Sequence, residues 1–481
     1  MPFKKFLLLP LLLLLNFYTD AQTKSSLKDV DFDIRVVASK LSDPWEVTYG
    51  PDGFLWVTES KGYRVLRIDP VDGSKQILAD LNSERKFGAK PWPQGGLMGL
   101  ALHPLMLQEK GKPFVYLAYV HQYKGDNRFS LRIVRYTYDR DVVKLINPTI
   151  ICDTIPASND HNGGRLLIAP VNGKPYLFYS IGDMGSGQFS NGGRINNAQN
   201  KQSYEGKILR FNLEPDKDAN EGDQWIPDDN PFNTAKQSAV WTVGHRNPQG
   251  LAYAPINGKD IIYSTEHGPY SDDEINIIER GSNYGHPLII GYDDGNYNGL
   301  AASVSDNSDY PGVWHTTYPF IQNEKQNARS IGSSYRNPIK SFFPTPNKVL
   351  TALFEKTKKG EEQDWVSFAP SSVEVYQSDA IPEWKNSLLI PTLKGSRLLR
   401  LKLDDRGKIA DSTIYEYVKG NVRYRDIAVS SDGLKLYLAV DSSSVTSGPS
   451  KENPKEISYR GSILELKYKA APKQPAKSQD F

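Results

Sequence analysis

Short apolar segments rich in Val, Ile, Tyr and Leu recur along the chain, and Gly, Pro, Asn and Asp separate them. This pattern is typical of β-strands joined by turns, and long helical stripes are scarce. One strand–turn–strand unit occurs four times, as WEVTYGPDGFLWVTE, GRLLIAPVNGKPYLFYSIGD, GLAYAPINGKDIIYSTE and YRDIAVSSDGLKLYLAVD. The sequence therefore predicts an all-β protein built from a repeated hairpin.

Two looser copies of the hairpin, at 95–120 and 371–393, complete a set of six. Each copy is followed by further strand-like sequence, such as YRVLRID, LRIVRYTYD or GSILELKYK. A hairpin with outer strands, repeated six times, predicts a six-bladed β-propeller with four-stranded antiparallel blades and long loops. A β-sandwich stays open as an alternative, although a sandwich needs no internal repeat.

The two ends of the chain differ from the repeats. Lys4 and Lys5 precede an apolar segment, and Thr19-Asp20-Ala21 offers a small-residue cleavage site. The apolar segment has about half of the ~20 residues that a membrane-spanning helix needs. We predict a signal peptide over 1–21, one propeller domain over 22–469, and a disordered tail over 470–481. The mature protein is then periplasmic or secreted.

Composition limits the partners of the chain. The 481 residues carry a formal net charge of +2, with no basic cluster, so we expect no nucleic-acid partner. No segment after the signal peptide has the length and apolarity of a membrane span. Cys152 is the single cysteine, so an intrachain disulfide is excluded. The oligomeric state stays open, with a homodimer among the alternatives.

Unusual polar residues collect where the first strand of each hairpin begins and where the second strand ends. Hairpin geometry places both positions at one end of the propeller, which we call the site rim. Residues before or at first strands are Gln94, Asp160, His161, Arg246, Asn247, Gln249, Arg423 and Arg425. Residues after second strands are Glu59, Asp183, Gln188, Glu266, His267, Lys394 and Asp441.

Four cations converge at this rim: Arg246, Lys394, Arg423 and Arg425. Arginine favours planar carboxylate or phosphate partners, which it binds through two parallel hydrogen bonds. Like charges without compensation are costly at close range. We therefore expect a ligand with several anionic groups to offset them.

The segment 267–294 mixes acidic residues with Gly, Asn and Pro. Its carboxylates, Asp272, Asp273, Glu274, Asp293 and Asp294, are hard oxygen ligands that suit Ca²⁺. The spacing is not that of an EF-hand, and a solvated acidic loop stays open as an alternative. The sequence contains no zinc-type Cys/His cluster, no phosphate-binding GxxxxGK[ST] motif and no GxSxG nucleophile motif.

A family resemblance rests on nine motifs that follow one another along the chain: QGGLMGLALHP, DHNGGRL, SIGDMGSGQ, GKILRFN, GHRNPQGLAY, GPYSDDEIN, GSNYGHP, RYRDIAVSSDG and ENP. With these motifs the chain resembles the soluble glucose and aldose sugar dehydrogenases that depend on pyrroloquinoline quinone. The resemblance implies oxidation of the anomeric carbon of an aldose to the lactone by hydride transfer to the quinone. An unidentified electron acceptor would complete the cycle.

The resemblance also implies roles for single residues. His161 would be the general base, oriented by Asp183, and Arg246 would lie near the reacting quinone oxygen. Sugar contacts would come from Gln94, Asp160 and Trp365. Contacts at the cofactor are assigned to Asn247, His267, Ser367, Lys394, Arg423, Arg425, Gln188 and Asp441. The carbonyl groups of Gly268 and Pro269 would bind the cofactor's Ca²⁺, and one or two structural Ca²⁺ ions would use Asp273, Glu274, the carbonyl of Tyr284 and Asp294.

Some positions depart from the family pattern. His267 stands where Gln is typical, Ser367 where Thr is usual, and Glu362 where a sugar-contacting Tyr is expected. The segment 297–354 has no clear match. The cofactor contacts are kept, whereas the sugar-binding mouth is altered, so the natural sugar stays open.

Two further function classes remain as alternatives. A calcium-dependent propeller hydrolase, such as a lactonase, has no use for Lys394, Arg423 and Arg425 together. A propeller that only binds sugar has no use for the His161–Asp183 pair.

Overall fold

The computed structural model describes residues 28–108, 110–217, 223–442 and 458–470. These residues form six four-stranded antiparallel sheets, which confirms the predicted six-bladed propeller. The predicted signal peptide lies outside the described residues, as does the predicted tail apart from Ala470.

The blades follow one another in chain order, and each begins at its first strand. Blade 1 contains Pro44–Tyr49, Leu55–Glu59, Arg64–Ile68 and Lys75–Asp80; blade 2 contains Leu97–Leu102, Phe114–Gly125, Arg128–Asp139 and Lys144–Ser158. Blade 3 contains Leu166–Val171, Lys174–Ile181, Lys207–Phe211 and Val240–Val243; blade 4 contains Pro248–Ile256, Lys259–Glu266, Asp273–Ile277 and Lys340–Phe342. Blade 5 contains Glu374–Tyr376, Ser387–Pro391, Leu398–Lys402 and Tyr415–Tyr417; blade 6 contains Tyr424–Val429, Lys435–Val440, Ile463–Lys469 and Asp31–Ala38.

The hydrophobic core lies between neighbouring blades. Leu55–Glu59 and Ser387–Pro391 are buried at every position, because each lies inside a blade that packs on both of its faces. Such strands appear in the sequence as continuous apolar segments rather than as alternating ones. Tyr116 of blade 2 and Leu177 of blade 3, for example, belong to the same cluster of buried side chains.

The N-terminal strand closes the ring. Asp31–Ala38 pairs antiparallel with Ile463–Lys469 and so completes blade 6 from the other end of the chain. Near the axis, the buried guanidinium of Arg165 donates to Glu46 of blade 1 at 2.6 Å and lies 3.0 Å from Asp426 of blade 6. It also donates to the carbonyl of Gln249 in blade 4 at 3.1 Å. This one side chain therefore holds several blades together beneath the site rim.

The segment 297–354, which we call the cap segment, folds largely outside the blades. Its α-helix Glu324–Ile331 is capped by the Asn323 side chain, and a second α-helix spans Asn347–Lys358. Short 3-10 helices lie at Gly332–Ser334 and, elsewhere in the chain, at Asn82–Glu84 and Phe189–Asn191. Trp314, Leu350 and Phe354 form a separate small core with neighbouring side chains. No helix among the described residues is long and apolar enough to cross a membrane.

Candidate active site

The site rim gathers residues from several blades through direct contacts. His161 lies in the connection between blades 2 and 3, Asp183 follows the second strand of blade 3, and Arg246 precedes blade 4. The backbone N–H of Asp183 donates to the carbonyl of Arg246 at 2.8 Å. A Cβ atom on Gly182 would lie 2.3 Å from the carbonyl oxygen of His161. Only glycine allows these three segments to approach so closely.

His161 and Asp183 form a buried pair. The Nδ1 atom of His161 lies 2.6 Å from Oδ1 of Asp183, and the two side chains are 6% and 0% exposed. The backbone of His161 has φ = +50°, a left-handed conformation that is uncommon for a residue other than glycine. Such strain is typical of functional sites, where the surrounding structure imposes it.

Asp183 accepts hydrogen bonds from further side chains that sequence analysis missed. His286 Nε2 and the Tyr318 hydroxyl each lie 2.7 Å from its Oδ2 atom, and Asn196 Nδ2 lies at 2.9 Å. Burial raises the pKa of Asp183, but the charges and hydrogen bonds of His161 and His286 outweigh burial and hold it well below its usual range. Asp183 is therefore a carboxylate, and each of these neighbours donates to it.

Gln188 connects the histidine to the first arginine of the rim. Its Oε1 atom accepts from Arg246 at 2.9 Å, while its Nε2 atom donates to Asp160 at 2.9 Å and lies 3.0 Å from His161 Nε2. Gln94 donates to the same Asp160 carboxylate at 3.4 Å. Arg246 Nε is buried and has no hydrogen-bond partner among the described residues. Buried polar atoms normally have partners, so this atom is available to a ligand.

The cation cluster corrects one expectation from the sequence, because a carboxylate of the protein already offsets part of its charge. Arg425 forms two hydrogen bonds with Asp441, at 2.9 and 2.8 Å, and Arg423 Nε lies 3.3 Å from the same carboxylate. Arg425 also donates to Gln249 at 2.8 Å. Asp441 is therefore the internal counterion of the two arginines.

Lys394 and Trp365 lie together at the mouth of the site. The ammonium of Lys394 is 4.6 Å from the centre of the Trp365 ring and 2.8 Å from the carboxylate of Asp364. Trp365 also packs edge-to-face on Tyr270 at 5.0 Å. Asn247, on another side of the rim, accepts a hydrogen bond from the backbone of Gly163 at 3.2 Å.

Gly268 and Pro269 line a cavity of about 10 Å³ together with charged and polar side chains. Its walls include Arg246, Glu266, His267, Glu274, Tyr284 and His286. That volume is about the room that one water molecule or one ion needs. A Cβ atom on Gly268 would lie 1.8 Å from the carbonyl oxygen of Ser271, so the tight turn requires glycine there. Carbonyl and carboxylate oxygens in this cavity are the donors that Ca²⁺ prefers.

His267 and Ser367, the two unusual residues near this cavity, are held by the protein. His267 Nε2 lies 3.0 Å from the carbonyl of Pro370, and its own carbonyl accepts from Arg246 at 3.2 Å. Burial and the charge of Arg246 hold the pKa of His267 well below its usual range, so its imidazole is neutral. Ser367 donates to Asp273 at 2.7 Å.

The structure divides the predicted structural calcium ligands. Asp273 and Glu274 are neighbours in one strand, so their side chains point to opposite faces. One oxygen of Asp273 accepts from Ser367, Phe368 and Ala369, and the other accepts from the N–H of Gly268. The side chain of Asp273 is therefore committed to the turn around the cofactor-calcium residues and does not join Glu274.

Glu324 of the cap segment lies with the remaining acidic residues, and sequence analysis missed it. Burial raises its pKa to about 7, and the charge of Asp294 adds to the rise. Burial, followed by the charge of Glu266, raises the pKa of Glu274 well above its usual range. Within the described part of the chain, no three His, Cys, Asp or Glu side chains are arranged to hold a metal by themselves. A cation here would also need backbone carbonyls such as that of Tyr284.

The comparisons with known proteins agree with this fold. The family model described as glucose/sorbosone dehydrogenase matches residues 41–328 and 355–446. The chain belongs to the glucose/sorbosone dehydrogenase family. The prediction that the whole segment 297–354 lacks a match is therefore wrong for 297–328, which the family model includes. Only 329–354, the second part of the cap segment, departs from the family pattern.

Members of this family include characterised relatives. The chain is 32% identical over 475 residues to quinoprotein glucose dehydrogenase B of Acinetobacter calcoaceticus, covering 92% of each chain. It is 24% identical to aldose sugar dehydrogenase YliI of Escherichia coli strain K12, covering 86% of this chain and 91% of the relative. The PQQ-bound form of aldose sugar dehydrogenase from Streptomyces coelicolor has the same fold, with a TM-score of 0.59, 24% identity, and coverage of 92% of this chain and 99% of that one.

Proposed function

We propose that this protein is an exported, calcium-requiring dehydrogenase that oxidises the anomeric carbon of an aldose sugar to the lactone, with pyrroloquinoline quinone as its cofactor. The observation that carries the proposal is the buried His161–Asp183 pair beside Arg246, on the same rim as the Arg423–Arg425–Asp441 cluster. The named activity of the Acinetobacter relative supports it.

His161 acts as the general base in this proposal. Because its Nδ1–H donates to Asp183, its Nε2 atom carries the lone pair. Gln188 Nε2, a hydrogen-bond donor, lies 3.0 Å from that atom, so the position beside His161 Nε2 suits a donor group. The anomeric hydroxyl of the sugar takes this place and gives its proton to His161, while Asp183 stabilises the imidazolium. Asp160, Gln94 and Trp365 hold the remaining sugar hydroxyls and ring.

The donor set of the rim fits a planar tricarboxylate. Arg423, Arg425 and Lys394 offer two guanidinium groups and an ammonium, and Asn247 adds an amide. The bound quinone supplies the two-electron acceptor for the hydride that leaves the sugar carbon. The unpartnered Nε atom of Arg246 offers a hydrogen bond to charge that develops beside the sugar. Gly268 and Pro269 would hold a Ca²⁺ ion at the cofactor through their carbonyl groups.

Export and electron transfer belong to the same proposal. The N-terminal segment 1–21 directs the protein to the periplasm or outside the cell, where a second redox partner reoxidises the cofactor. The natural sugar stays open, because Glu362 in the altered mouth stands where the family pattern has a sugar-contacting tyrosine.

A reconstitution assay tests the proposal. The apo-protein is loaded with the quinone and Ca²⁺, and a panel of aldoses is screened with an artificial electron acceptor. We expect lactone formation with at least one aldose, and none when the quinone is omitted. Turnover of a lactone or ester without the quinone would instead identify a hydrolase. If no aldose in the panel is oxidised, the proposal is rejected.

A further inference from the structure

The carboxylate of Asp183 is held at both of its oxygen atoms. Oδ1 accepts from His161 at 2.6 Å and from the backbone of Gly185 at 3.0 Å. Oδ2 accepts from His286 and Tyr318, each at 2.7 Å, and from Asn196. A carboxylate has about four lone-pair positions, so these five donors leave it no freedom to rotate.

Tyr318 and His286 are fixed in the donor state. Burial, followed by the charge of Asp183, raises the pKa of Tyr318 well above its usual value, so its hydroxyl keeps the proton. His286 donates from Nε2, because a carboxylate can only accept. Its Nδ1 atom is buried and has no hydrogen-bond partner among the described residues. His286 also lines the small cavity beside Gly268.

Tyr318 reaches Asp183 because the cap segment is anchored beside it. Thr317 donates to the carbonyl of Gly192 at 3.1 Å, and Thr316 donates to the carbonyl of Gly187, so the cap segment is tied to the loop that carries Gln188. Tyr318 itself belongs to the small hydrophobic core of the cap segment. The ring of His286 packs edge-to-face on Tyr318 at 5.5 Å.

We propose that Tyr318 and His286 are positioning residues for the general base, and that the cap segment is thereby part of the catalytic apparatus. This inference rests on the proposed function. By holding Oδ2, the two donors keep Oδ1 in line with Nδ1 of His161, which fixes both the tautomer and the direction of Nε2 towards the sugar. A change in the packing of the cap segment would then change the rate at which His161 removes the proton.

Tyr318→Phe tests the inference, because it removes one hydroxyl and keeps the ring in the small core. Tyr310→Phe is the matched control, since Tyr310 is in the same segment and packs on Gly192 rather than on Asp183. For Tyr318→Phe we expect kcat to fall about 10-fold, less than the ~100-fold that a 1 Å misplacement costs. The KM for the sugar and the affinity for the quinone should stay within about twofold of wild type. The control should match wild type in all three.

The apo-protein provides a second measurement that needs no activity. Proton NMR detects the downfield N–H resonances of imidazoles that donate to a carboxylate, and Tyr318→Phe should shift the resonance of His161. His286→Gln keeps an N–H donor and should retain more of kcat than His286→Leu.

An unchanged resonance and a wild-type kcat in Tyr318→Phe would overturn the inference. An equal loss of kcat, quinone affinity and thermal stability would also overturn the inference, because it would indicate a structural role. If the wild-type protein oxidises no aldose, the proposed function fails, and the NMR result still decides whether Tyr318 positions His161.

Discussion

His161 derives its chemical role from what surrounds its two ring nitrogens. Nδ1 donates to the completely buried carboxylate of Asp183. Nε2 lies 3.0 Å from Gln188 Nε2 and 3.7 Å from the carboxylate of Asp160. The carboxylate of Asp183 holds the imidazole in the tautomer in which Nε2 carries the lone pair. The positive φ of His161 sets the direction of the ring from the backbone.

At the residue scale we predict that His161→Asn lowers kcat by about 10²–10⁴-fold, the usual contribution of a positioned general base. Binding of the quinone should be unchanged, because the cation cluster is untouched. Steady-state kinetics at saturating sugar and an absorbance titration with the quinone measure the two effects. His103→Asn is the matched control, since His103 lies at the turn of the first hairpin of blade 2 and contacts Leu105. A variant that keeps kcat near wild type would show that another group removes the proton.

The sequence predicted residues at strand ends better than residues in long connections. His161, Asp183 and Arg246 adjoin recognisable strands, so hairpin geometry alone placed them at one rim. Tyr318 and Glu324 come from the cap segment, where no periodic pattern indicates which way a side chain points. The pairing of Asp441 with the two arginines depends on side-chain geometry, so it could not be predicted from residue charges in the sequence.

At the element scale, the strand Asp273–Ile277 separates two carboxylates that the family resemblance assigned to one calcium site. Because neighbouring side chains of a strand face opposite ways, Asp273 supports the turn at Gly268 while Glu274 faces the acidic group near the cap segment. The backbone N–H of Ile290 donates to Glu324 at 2.9 Å and that of Gly291 donates to Glu274 at 3.0 Å, so neighbouring backbone groups hold these two carboxylates.

We predict that a cation neutralises this acidic group and stabilises the fold. A ligand that binds only the folded protein adds about 2.7 kcal/mol at 100 times its Kd. Thermal unfolding should therefore show a higher midpoint in Ca²⁺ than after chelation. Glu324→Gln should reduce that difference, whereas Glu361→Gln, at an exposed position, should leave it unchanged. An identical midpoint with and without metal, after verified removal, would contradict the prediction.

The six hairpins and the third strand of each blade were predicted from apolar segments, and the structure confirms them. The outer strands Lys340–Phe342 and Tyr415–Tyr417 were not predicted, because three residues carry no detectable alternation. The closing role of Asp31–Ala38 was also missed. Its partner lies at the other end of the chain, and local pattern contains no information on such pairing.

At the scale of the whole molecule, ring closure brings distant residues to one rim. Lys394 belongs to blade 5, Arg425 to blade 6, and Arg246 to the start of blade 4. The hydrogen bond from Arg425 to the Gln249 side chain joins blades 6 and 4 across the rim, and the backbone carbonyl of the same Gln249 accepts from Arg165. The site therefore exists only when all blades are closed, which explains why no single segment of the sequence contains it.

Equilibrium titration with pyrroloquinoline quinone in the presence of Ca²⁺, followed by absorbance, tests the central claim most directly. We predict that the wild-type apo-protein binds one equivalent of the quinone. Arg425→Ala should bind one to two decades more weakly, because it loses a charge-assisted hydrogen-bonded pair worth about 1.5–3 kcal/mol. Arg406→Ala, which changes an exposed arginine away from the rim, should bind as wild type does. A folded wild-type protein that does not bind the quinone would show that the quinone is not its cofactor, and an Arg425→Ala variant with unchanged affinity would show that the cation cluster does not bind it.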